Sequence, residues 1–514
     1  MKNLILFLTF SVPLCTSLLR NAGATIINAA SPARGDVVAA ITSAVDGDTV
    51  LIPAGTVAWT SAISISKAIT LRGAGIGQTI LQDAIPDANS DTLTDSAMLS
   101  WILVANKTSR MTGIEFRNAP NHNTINYNGV ITISGSNTDS RRMRVDNCKF
   151  NNLRGANLFT TDVLGVIDHC TFIPQGGTIP VYVYHTNWNG VPNSDGSWAD
   201  SAHWGTDKFL FVEDCTFNLP VMYAIVDAYR GARYVIRHNT INNGEIEAHG
   251  TDSGGRPRGC RAIEVYNNNF TGNGAFDIIV NIRSGSALIH NNTLSNFLST
   301  AHFHLDVYRR FFPFSPWGQA DGSNPWDANS SGSPFDSGVA TGGGSLTLTD
   351  TSKSWGNLVG KILKKTGCSG YCSSTITSNT ANTITVYNSG GYGANISFSG
   401  GQGYQIWNAP THALDSPGRS GGTQLSGGSP AVPPGWNNQV NDPCYEWNNT
   451  MGATNVNFSS KTNMVRSGTH FFNDTVAPGY TAYTYPHPLV SGSAPPPPPV
   501  QPRPPTHLRI ISGQ

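Results

Sequence analysis

The hexapeptide Val145-Asp146-Asn147-Cys148-Lys149-Phe150 indicates the fold, because close variants of it recur along the chain. The variants are IDHCTF (167–172), VEDCTF (212–217), IRHNTI (236–241), VYNNNF (265–270) and IHNNTL (289–294). Successive copies start 22, 45, 24, 29 and 24 residues apart, and 45 is about two periods. A period in the twenties with short strands indicates a stacked solenoid.

The fourth position of each copy predicts a ladder of buried side chains. One coil cannot bury its own apolar face, so coils stack at the strand spacing of about 4.8 Å and equivalent residues lie above one another. Asparagine at a bend hydrogen-bonds the next asparagine, and cysteine fills the same inward position as a small apolar group. The predicted ladder is Cys148, Cys170, Cys215, Asn239, Asn268 and Asn292. We expect the neighbouring His169, His238 and His290 to be turn residues.

The start of the chain body predicts a covered solenoid end. The segment Asp36–Val45 has helical apolar spacing and an acidic start, and Gly47–Gly55 has the pattern of a turn and a first strand. A short helix at this position would cover the open end of the stacked coils, which would otherwise be an exposed sheet edge.

These motifs carry a resemblance to a known superfamily. The opening GDVVAAITSAVDGDTVLIPAG (35–55) and the VDNCKFNN-type repeats, over about residues 35–311, resemble the pectate-lyase-like right-handed β-helices. The resemblance implies an all-β right-handed parallel β-helix. That fold hosts lyases, hydrolases, epimerases and adhesins, so the resemblance implies no single activity.

Composition and the first residues bear on class and location. Charged residues are only 12% of the chain, with 32 Lys+Arg against 32 Asp+Glu, which argues against nucleic-acid binding. Residues 1–24 combine Lys2, a short apolar run and Ala22-Gly23-Ala24, so we expect a cleaved signal peptide and a secreted monomer in the medium, the periplasm or on the cell surface. No later segment has the roughly 20 apolar residues of a membrane helix.

The remaining sequence divides into further segments. We expect a β-helix over 25–320, a Gly/Ser-rich loop over 321–344, a small inserted β-module over 345–408, terminal β-helix coils over 409–480 and a proline-rich linker and tail over 481–514. Cys368 and Cys372 are close enough in sequence to form a disulfide. Cys260 and Cys444 have no evident partner.

Side chains that alternate with apolar core residues predict a carbohydrate groove on one face. Tyrosine rings pack on sugar faces, and carboxylates and arginine hydrogen-bond hydroxyls or uronates. The candidate catalytic residues are Asp227, Glu247, His249, Asp277 and Arg283. The candidate substrate-binding residues are Tyr182, Tyr184, Tyr229, Glu245, Arg256, Arg258, Asn281, His302, His304 and Asp306.

Two mechanisms and one non-enzymatic role fit this set. A lyase would use Arg283 or His249 to remove the proton next to a uronate, and a bound Ca²⁺ or an arginine would neutralise the carboxylate. A hydrolase would use two carboxylates among Asp227, Glu245, Glu247 and Asp277. The residue pattern assigns no metal ligands. The expected partner is a polysaccharide or cell-surface glycan, and the alternative to an enzyme is an adhesin or structural solenoid.

Overall fold

The computed structural model describes residues 24–86, 96–122, 128–135, 141–252, 258–328, 332–368, 372–388, 396–421 and 439–491. Across these residues the chain is a right-handed parallel β-helix with an antiparallel module inserted near its C-terminal end. The expected fold is therefore confirmed. The expected signal peptide lies outside the described residues, apart from its last residue.

Three parallel ladders form the β-helix. Ladder A has twelve strands, which are Ile26–Asn28, Thr49–Leu51, Thr70–Arg72, Lys107–Thr112, Arg141–Asp146, Leu164–Asp168, Leu210–Glu213, Arg233–Arg237, Ala262–Tyr266, Ser286–His290, Cys444–Trp447 and Phe471–Phe472. The last coil of the first segment pairs directly with the strand that follows the insertion, because Leu288 lies opposite Tyr445.

Ladders B and C share two long strands, Thr216–Tyr229 and Thr240–Ala248, that run through the bend between them. Ladder B also contains Gly55–Trp59, Thr79–Asp83, Glu115–Asn118, Lys149–Asn151, Thr171–Ile173, Asn269–Thr271, Thr293–Ser295 and Thr450–Met451. Ladder C also contains Ile63–Ile65, Leu99–Ile102, Ile131–Ser134, Leu158–Thr161, Val181–Tyr184, Ile278–Ile282, His302–Leu305 and Phe458–Ser460.

The repeat motif makes the corner between ladders A and B. Its third residue has a positive φ in every copy, from 49° at Asn147 to 57° at His238. This left-handed backbone turns the next residue inward, and asparagine tolerates it better than most residues. The buried fourth residues stack as expected: the Nδ2 of Asn239 donates to the Oδ1 of Asn268 at 3.0 Å, and the Nδ2 of Asn268 donates to the Oδ1 of Asn292 at 3.0 Å.

The predicted ladder is thus confirmed, and Asn449 extends it by one coil after the insertion, where it accepts from Asn292 at 2.8 Å. The expectation for His290 was wrong. His290 ends a ladder A strand and its ring stacks between Tyr266 and Trp447, at centroid distances of 4.6 and 4.3 Å. Asn291 takes the turn position instead, with a φ of 56°.

Stacked identical residues also fill the interior. The rings of Phe116, Phe150, Phe172 and Phe217 stack along ladder B with successive centroid distances of 5.5, 4.7 and 4.7 Å. The helix Arg34–Ser43 covers the first coil, as expected, and buries Val37, Ala40 and Ile41 against this core. Within the described ranges, the other helices are the short segments Asp195–Ala199 and Pro488–Ser491 and the 3₁₀ turn Tyr308–Arg310. No helix among the described residues is long and apolar enough to cross a membrane.

The inserted module is an antiparallel sheet with its own core. Its seven strands are Asp336–Val339, Gly342–Gly344, Thr347–Thr349, Ile362–Lys365, Ser373–Asn379, Thr383–Val386 and Gly403–Trp407. The module begins at Asp336 rather than Ser345, because part of the Gly/Ser-rich segment forms its edge strands. The expected disulfide joins Cys368 and Cys372, and Cys260 and Cys444 are buried free thiols. Strands Arg419–Gly421 and Gln439–Asn441 form a separate hairpin, and the short strand Thr454–Asn455 pairs with Thr450–Met451.

The expected linker over 481–514 was wrong for its first residues. Residues 481–491 pack on the outside of ladder A, where Arg237 donates to the backbone carbonyls of Tyr483 and Thr484 at 2.7 and 2.9 Å. The side chain of Arg237 is fully buried, so its donors need acceptors inside the protein, and this segment supplies them. Residues 492–514 lie outside the described residues.

Candidate active site

Parallel stacking on ladder C arranges the predicted site residues in two columns. Column 1 contains Tyr182, Asp227, Glu247, Asn281, His304 and Ser459, which lie in register on successive strands. Column 2 contains Tyr184, Tyr229, His249, Arg283, Asp306 and Lys461, and the backbone hydrogen bonds at the strand ends continue the same register. A substrate chain lying across the strands would therefore meet these side chains in sequence.

Glu247 is the centre of the contacts between the columns. Its Oε2 lies 2.6 Å from Nη2 of Arg283 and 2.5 Å from Nε2 of His249, and its Oε1 accepts from Nδ2 of Asn281 at 3.0 Å. Arg283 also pairs with Asp252 at 2.8 Å, and its guanidinium stacks on the ring of Tyr308 at 4.4 Å. Arg283 is thus held on three sides, and it fixes the position of Glu247.

Asp227 lies beside this centre on the preceding coil. Its Oδ1 is 3.2 Å from Nε2 of His249, yet it accepts no well-directed hydrogen bond from any described residue. The Oδ1 atoms of Asn281 and Asp252 are also buried, and they too accept no hydrogen bond from any described residue. Ligand atoms of Asp227, Glu247 and His249 all lie within 4.8 Å of one another, which is close enough for these three residues to bind one metal ion.

The acids of the centre titrate in opposite directions. Burial works against charge at Glu247, but Arg283, His249 and Asn281 outweigh it and hold the pKa of Glu247 well below its usual range. Burial and the charge of Glu247 raise the pKa of Glu245 to about 7, because this second carboxyl has no cation as close. Burial raises the pKa of Asp227.

His249 is the proton-carrying group at this point. Burial and the nearby Arg283 charge oppose its protonation, but the carboxylates of Asp227 and Glu247 outweigh them and raise its pKa. Its side chain is 22% exposed, so substrate has access to the imidazole. A histidine with one open side between two carboxylates has the geometry of a proton-transfer group.

Aromatic rings cover one end of the two columns. Tyr182 stacks on Phe159 at 5.2 Å, and Tyr184 lies against Tyr229 at 4.4 Å. The guanidinium of Arg230 lies over the rings of Tyr184 and Tyr229 at 5.2 and 5.4 Å. Tyr184 is almost fully buried and Tyr182 and Tyr229 are half-buried, so the latter two offer ring surface to a sugar.

Other predicted residues lie apart from the centre. Asp277 is 42% exposed and contacts Thr300 and His302 instead, because a β-bulge between Ile278 and Val280 changes the phase of this strand. The same bulge leaves Phe276 exposed. The catalytic position expected for Asp277 is therefore wrong.

Two further expectations also change. Arg258, expected to bind substrate, is instead buried, with Asp415 at 2.7 Å and Asp195 at 3.1 Å. Asp306 is buried too, and it holds Arg310 at 2.7 Å and the backbone N–H of Val307. Arg256 lies outside the described residues. His302 and His304 contact each other at 3.3 Å on the coil beyond Asn281.

Two contacts of Arg283 are not predicted by the sequence pattern. Asp252 lies in the loop that follows His249. Side chains in a loop do not alternate regularly between core and surface, so the sequence pattern does not predict where Asp252 points. Tyr308 follows the ladder C strand His302–Leu305, in the 3₁₀ turn Tyr308–Arg310, and the sequence pattern assigns it no role. The pairing of each with Arg283 depends on contacts that are distant in sequence, 31 residues for Asp252.

Comparisons with known proteins concern the architecture. No protein-family model and no curated protein matches the chain. An alginate lyase from Paenibacillus sp. str. FPU-7 is 13% identical with a TM-score of 0.37, over 55% of this chain and 91% of that one. A mannuronic-acid-specific polysaccharide family 6 lyase from human gut microbiota is 16% identical with a TM-score of 0.34, over 55% and 67%.

A tailspike protein variant of E. coli bacteriophage HK620, in complex with a pentasaccharide, is 12% identical with a TM-score of 0.25, over 71% of this chain and 86% of that one. These lyases and tailspikes are parallel β-helix folds. At such values the likeness is one of fold.

Proposed function

We propose that the chain binds an acidic polysaccharide along ladder C and cleaves it by β-elimination. The observation that carries the proposal is the convergence of Asp227, Glu247, His249 and Arg283 on adjacent coils, with an accessible imidazole beside buried oxygens that lack donors. A surface that only bound glycan would not need charged groups buried at this cost.

In the proposed reaction, one proton moves from the substrate carbon to the departing oxygen by way of His249. The imidazole of His249, in its neutral form, takes the proton from the carbon next to the uronate carboxylate, and the carboxylates of Asp227 and Glu247 stabilise the imidazolium that results. The electron pair of that C–H bond forms the new C=C bond, and the glycosidic C–O bond to the neighbouring carbon breaks. The same imidazole returns the proton to the departing oxygen, which leaves an unsaturated end on one product.

The acidic residues near His249 fit a divalent cation. Hard oxygen ligands are available from the carboxylates of Asp227 and Glu247 and from the amide oxygen of Asn281. The Oδ1 atoms of Asp227 and Asn281 are buried and accept no hydrogen bond from a described residue. A bound Ca²⁺ would neutralise the substrate carboxylate, whose negative charge the acidic residues otherwise repel. In the chain itself, Arg283 keeps Glu247 ionised and in place, and Asn281 orients its second oxygen.

Hydrolysis is the second candidate, and one observation favours it. Glu245 and Glu247 lie two residues apart on one face of a strand, and their pKa values move apart, to about 7 for Glu245 and well below the usual range for Glu247. A protonated acid beside an ionised carboxylate is the pair that a glycoside hydrolase uses.

A screen against polysaccharides tests both candidates. Purified protein is incubated with CaCl₂ and polygalacturonate, alginate, chondroitin sulfate, xylan or dextran, and absorbance at 235 nm and reducing ends are followed together. A lyase raises both signals on a uronate polymer, whereas a hydrolase raises reducing ends alone. Glycan binding without either signal would overturn the enzymatic proposal and favour the adhesin.

Variants then locate the activity. We expect Glu247→Gln, His249→Gln and Arg283→Lys each to lower turnover by about 10²-fold or more. Thr240→Ala, an exposed position on the same strand as Glu247, is the matched control and should leave turnover unchanged. Full activity in all three site variants would place the reaction elsewhere.

Export is part of the proposal. A polysaccharide substrate lies outside the cell, and the disulfide between Cys368 and Cys372 suits an oxidising compartment. Expression of the full chain with detection of the processed protein in the medium or periplasm tests it. Retention of unprocessed protein in the cytoplasm would contradict it.

A further inference from the structure

A cavity of about 620 Å³ lies where column 2 ends, between the last coil of the β-helix and the inserted module. We propose that it is a binding subsite for an anionic sugar residue of the same polymer, one that carries a carboxylate or sulfate group. This subsite rests on the proposed function and deepens it, because it adds a second binding position for the same acidic polymer and gives the module a role.

The position of the cavity follows from the strand register. Lys461 follows Asp306 in column 2, since Ser460 lies opposite Leu305 and the Lys461 N–H donates to the Leu305 carbonyl. Arg283 is two coils away, or about 10 Å at the usual strand spacing. Ser460 and Lys461 line the cavity, so a chain that crosses Glu247 and Arg283 and continues along ladder C enters it.

The charge of the cavity differs from that of the centre. Its lining includes Arg310, Lys461 and Arg466, and none of the described residues that line it is acidic. Arg310 is held by Asp306, whereas Lys461 donates to a serine hydroxyl at 3.3 Å and Arg466 to a backbone carbonyl at 3.0 Å. The latter two are exposed cations without a carboxylate partner among the described residues, and they are available to an anion.

The module supplies the opposite wall. Ser373, Ser374 and Thr375 contribute hydroxyl groups, and Tyr387 contributes a ring that is 49% exposed. Hydroxyls and an open aromatic face suit the hydroxyl groups and apolar face of a pyranose. The wall is attached to the β-helix side, because Gln319 donates to Ser373 at 2.6 Å and Lys364 pairs with Asp321 at 2.6 Å.

The test compares two pairs of substitutions on the full chain. Lys461→Gln with Arg466→Gln removes two cations of the cavity. Lys107→Gln with Arg72→Gln removes two exposed cations on ladder A strands and is the matched control. The probes are long and very short oligomers of the acidic polymer that the parent cleaves, together with the long polymer after its carboxyl groups have been reduced to alcohols.

For long acidic oligomers, we expect the cavity variant to raise KM about 10-fold or more with kcat unchanged. For oligomers too short to reach the cavity, KM and kcat should be the same in the variant and the parent. The two proteins should also bind the carboxyl-reduced polymer equally. The control should match the parent throughout. An unchanged KM for long acidic oligomers would overturn the subsite while the reaction at Glu247 stands.

If the parent cleaves no polymer, binding separates the two proposals. Retention of polygalacturonate, alginate and chondroitin sulfate is then measured for the parent and the cavity variant at low salt. Binding that is lost in the variant but kept in the control supports the subsite and contradicts the proposed catalysis. Absence of binding in the parent overturns both.

Discussion

At the scale of single residues, the alternation of apolar side chains was enough to predict that four side chains lie close together on one face, namely those of Asp227, Glu247, His249 and Arg283. It succeeded because the strands that carry them pair regularly at those positions. It failed for Asp277, where a bulge inserts one residue, and it gave no information on the loop residue Arg258, whose partner Asp415 is 157 residues away. Neither a bulge nor a distant ion pair leaves a periodic signal in the sequence.

The proposed cation site gives a prediction that does not depend on activity. We expect CaCl₂ to raise the Tm of the parent relative to EDTA, since a ligand that binds only the folded state stabilises it by about 2.7 kcal/mol at 100 times its Kd. In Asp227→Asn the shift should shrink or vanish, and in Asp46→Asn, a surface control that pairs with Lys107, it should persist. Equal shifts in all three proteins would place the cation elsewhere.

The buried His290 gives a prediction about pH. Burial lowers the pKa of His290 from 6.5 to about 3, so the unfolded chain binds its proton at a higher pH than the folded chain does. The stability that neutral His290 contributes is present above pH 6.5 and is lost as the pH falls from 6.5 towards 3. Between pH 7 and 4.5 this loss is roughly 1–3 kcal/mol.

His290→Phe isolates that contribution. Phenylalanine keeps the stack between Tyr266 and Trp447 but does not titrate, so the variant should lose less stability than the parent over the same pH range. Urea unfolding at pH 7 and 4.5 measures the difference. The same loss in parent and variant would show that other groups cause the acid sensitivity.

At the scale of elements, the repeat predicted the ladder of buried cysteines and asparagines, because the geometry of that ladder depends on one residue in each coil. A register shift in ladder C was not predictable in this way. In the strand Thr216–Tyr229 the register shifts between Ala224 and Val226, so Ile225 is buried as an additional core residue. The shift lies immediately before Asp227.

The asparagine ladder should be costly to interrupt. In Asn268→Leu, Asn239 loses the acceptor of its backbone and side-chain N–H groups, and the carbonyls of Ile236 and Tyr266 lose a donor. We expect a loss of about 1–3 kcal/mol in the free energy of unfolding. Asn269→Leu, the exposed neighbour, is the control, and denaturant unfolding is the measurement. A parent-like curve for Asn268→Leu would mean that the ladder adds no stability.

At the scale of the whole molecule, the insertion interrupts the β-helix without disturbing its stacking. The two ends of the module lie side by side, since the Phe335 N–H donates to the Ile406 carbonyl at 2.7 Å. The composition of the segment predicted a separate module, but the sequence could not show that it would form one wall of a cavity. That wall depends on coils that lie before and after the insertion.

Removal of the module should leave a folded β-helix. We expect a deletion of Asp336–Ile406, bridged by a short Gly/Ser linker, to unfold cooperatively and to keep the activity of the centre. Its KM for long acidic oligomers should rise, because the cavity loses Ser373 and Tyr387. Circular dichroism melting and steady-state kinetics are the measurements. Insoluble or unfolded protein would show that the module is integral to the β-helix.

If the proposals hold, one polymer chain crosses ladder C at Glu247 and continues into the cavity. The decisive measurement is a crystal structure of Glu247→Gln soaked with a long oligomer of the polymer that the parent cleaves. We expect sugar density from Tyr182 to Lys461, with the scissile linkage beside His249 and an acidic group near Arg466. Density bound elsewhere, such as against Trp204 and Tyr480 on the ladder A side, would contradict it.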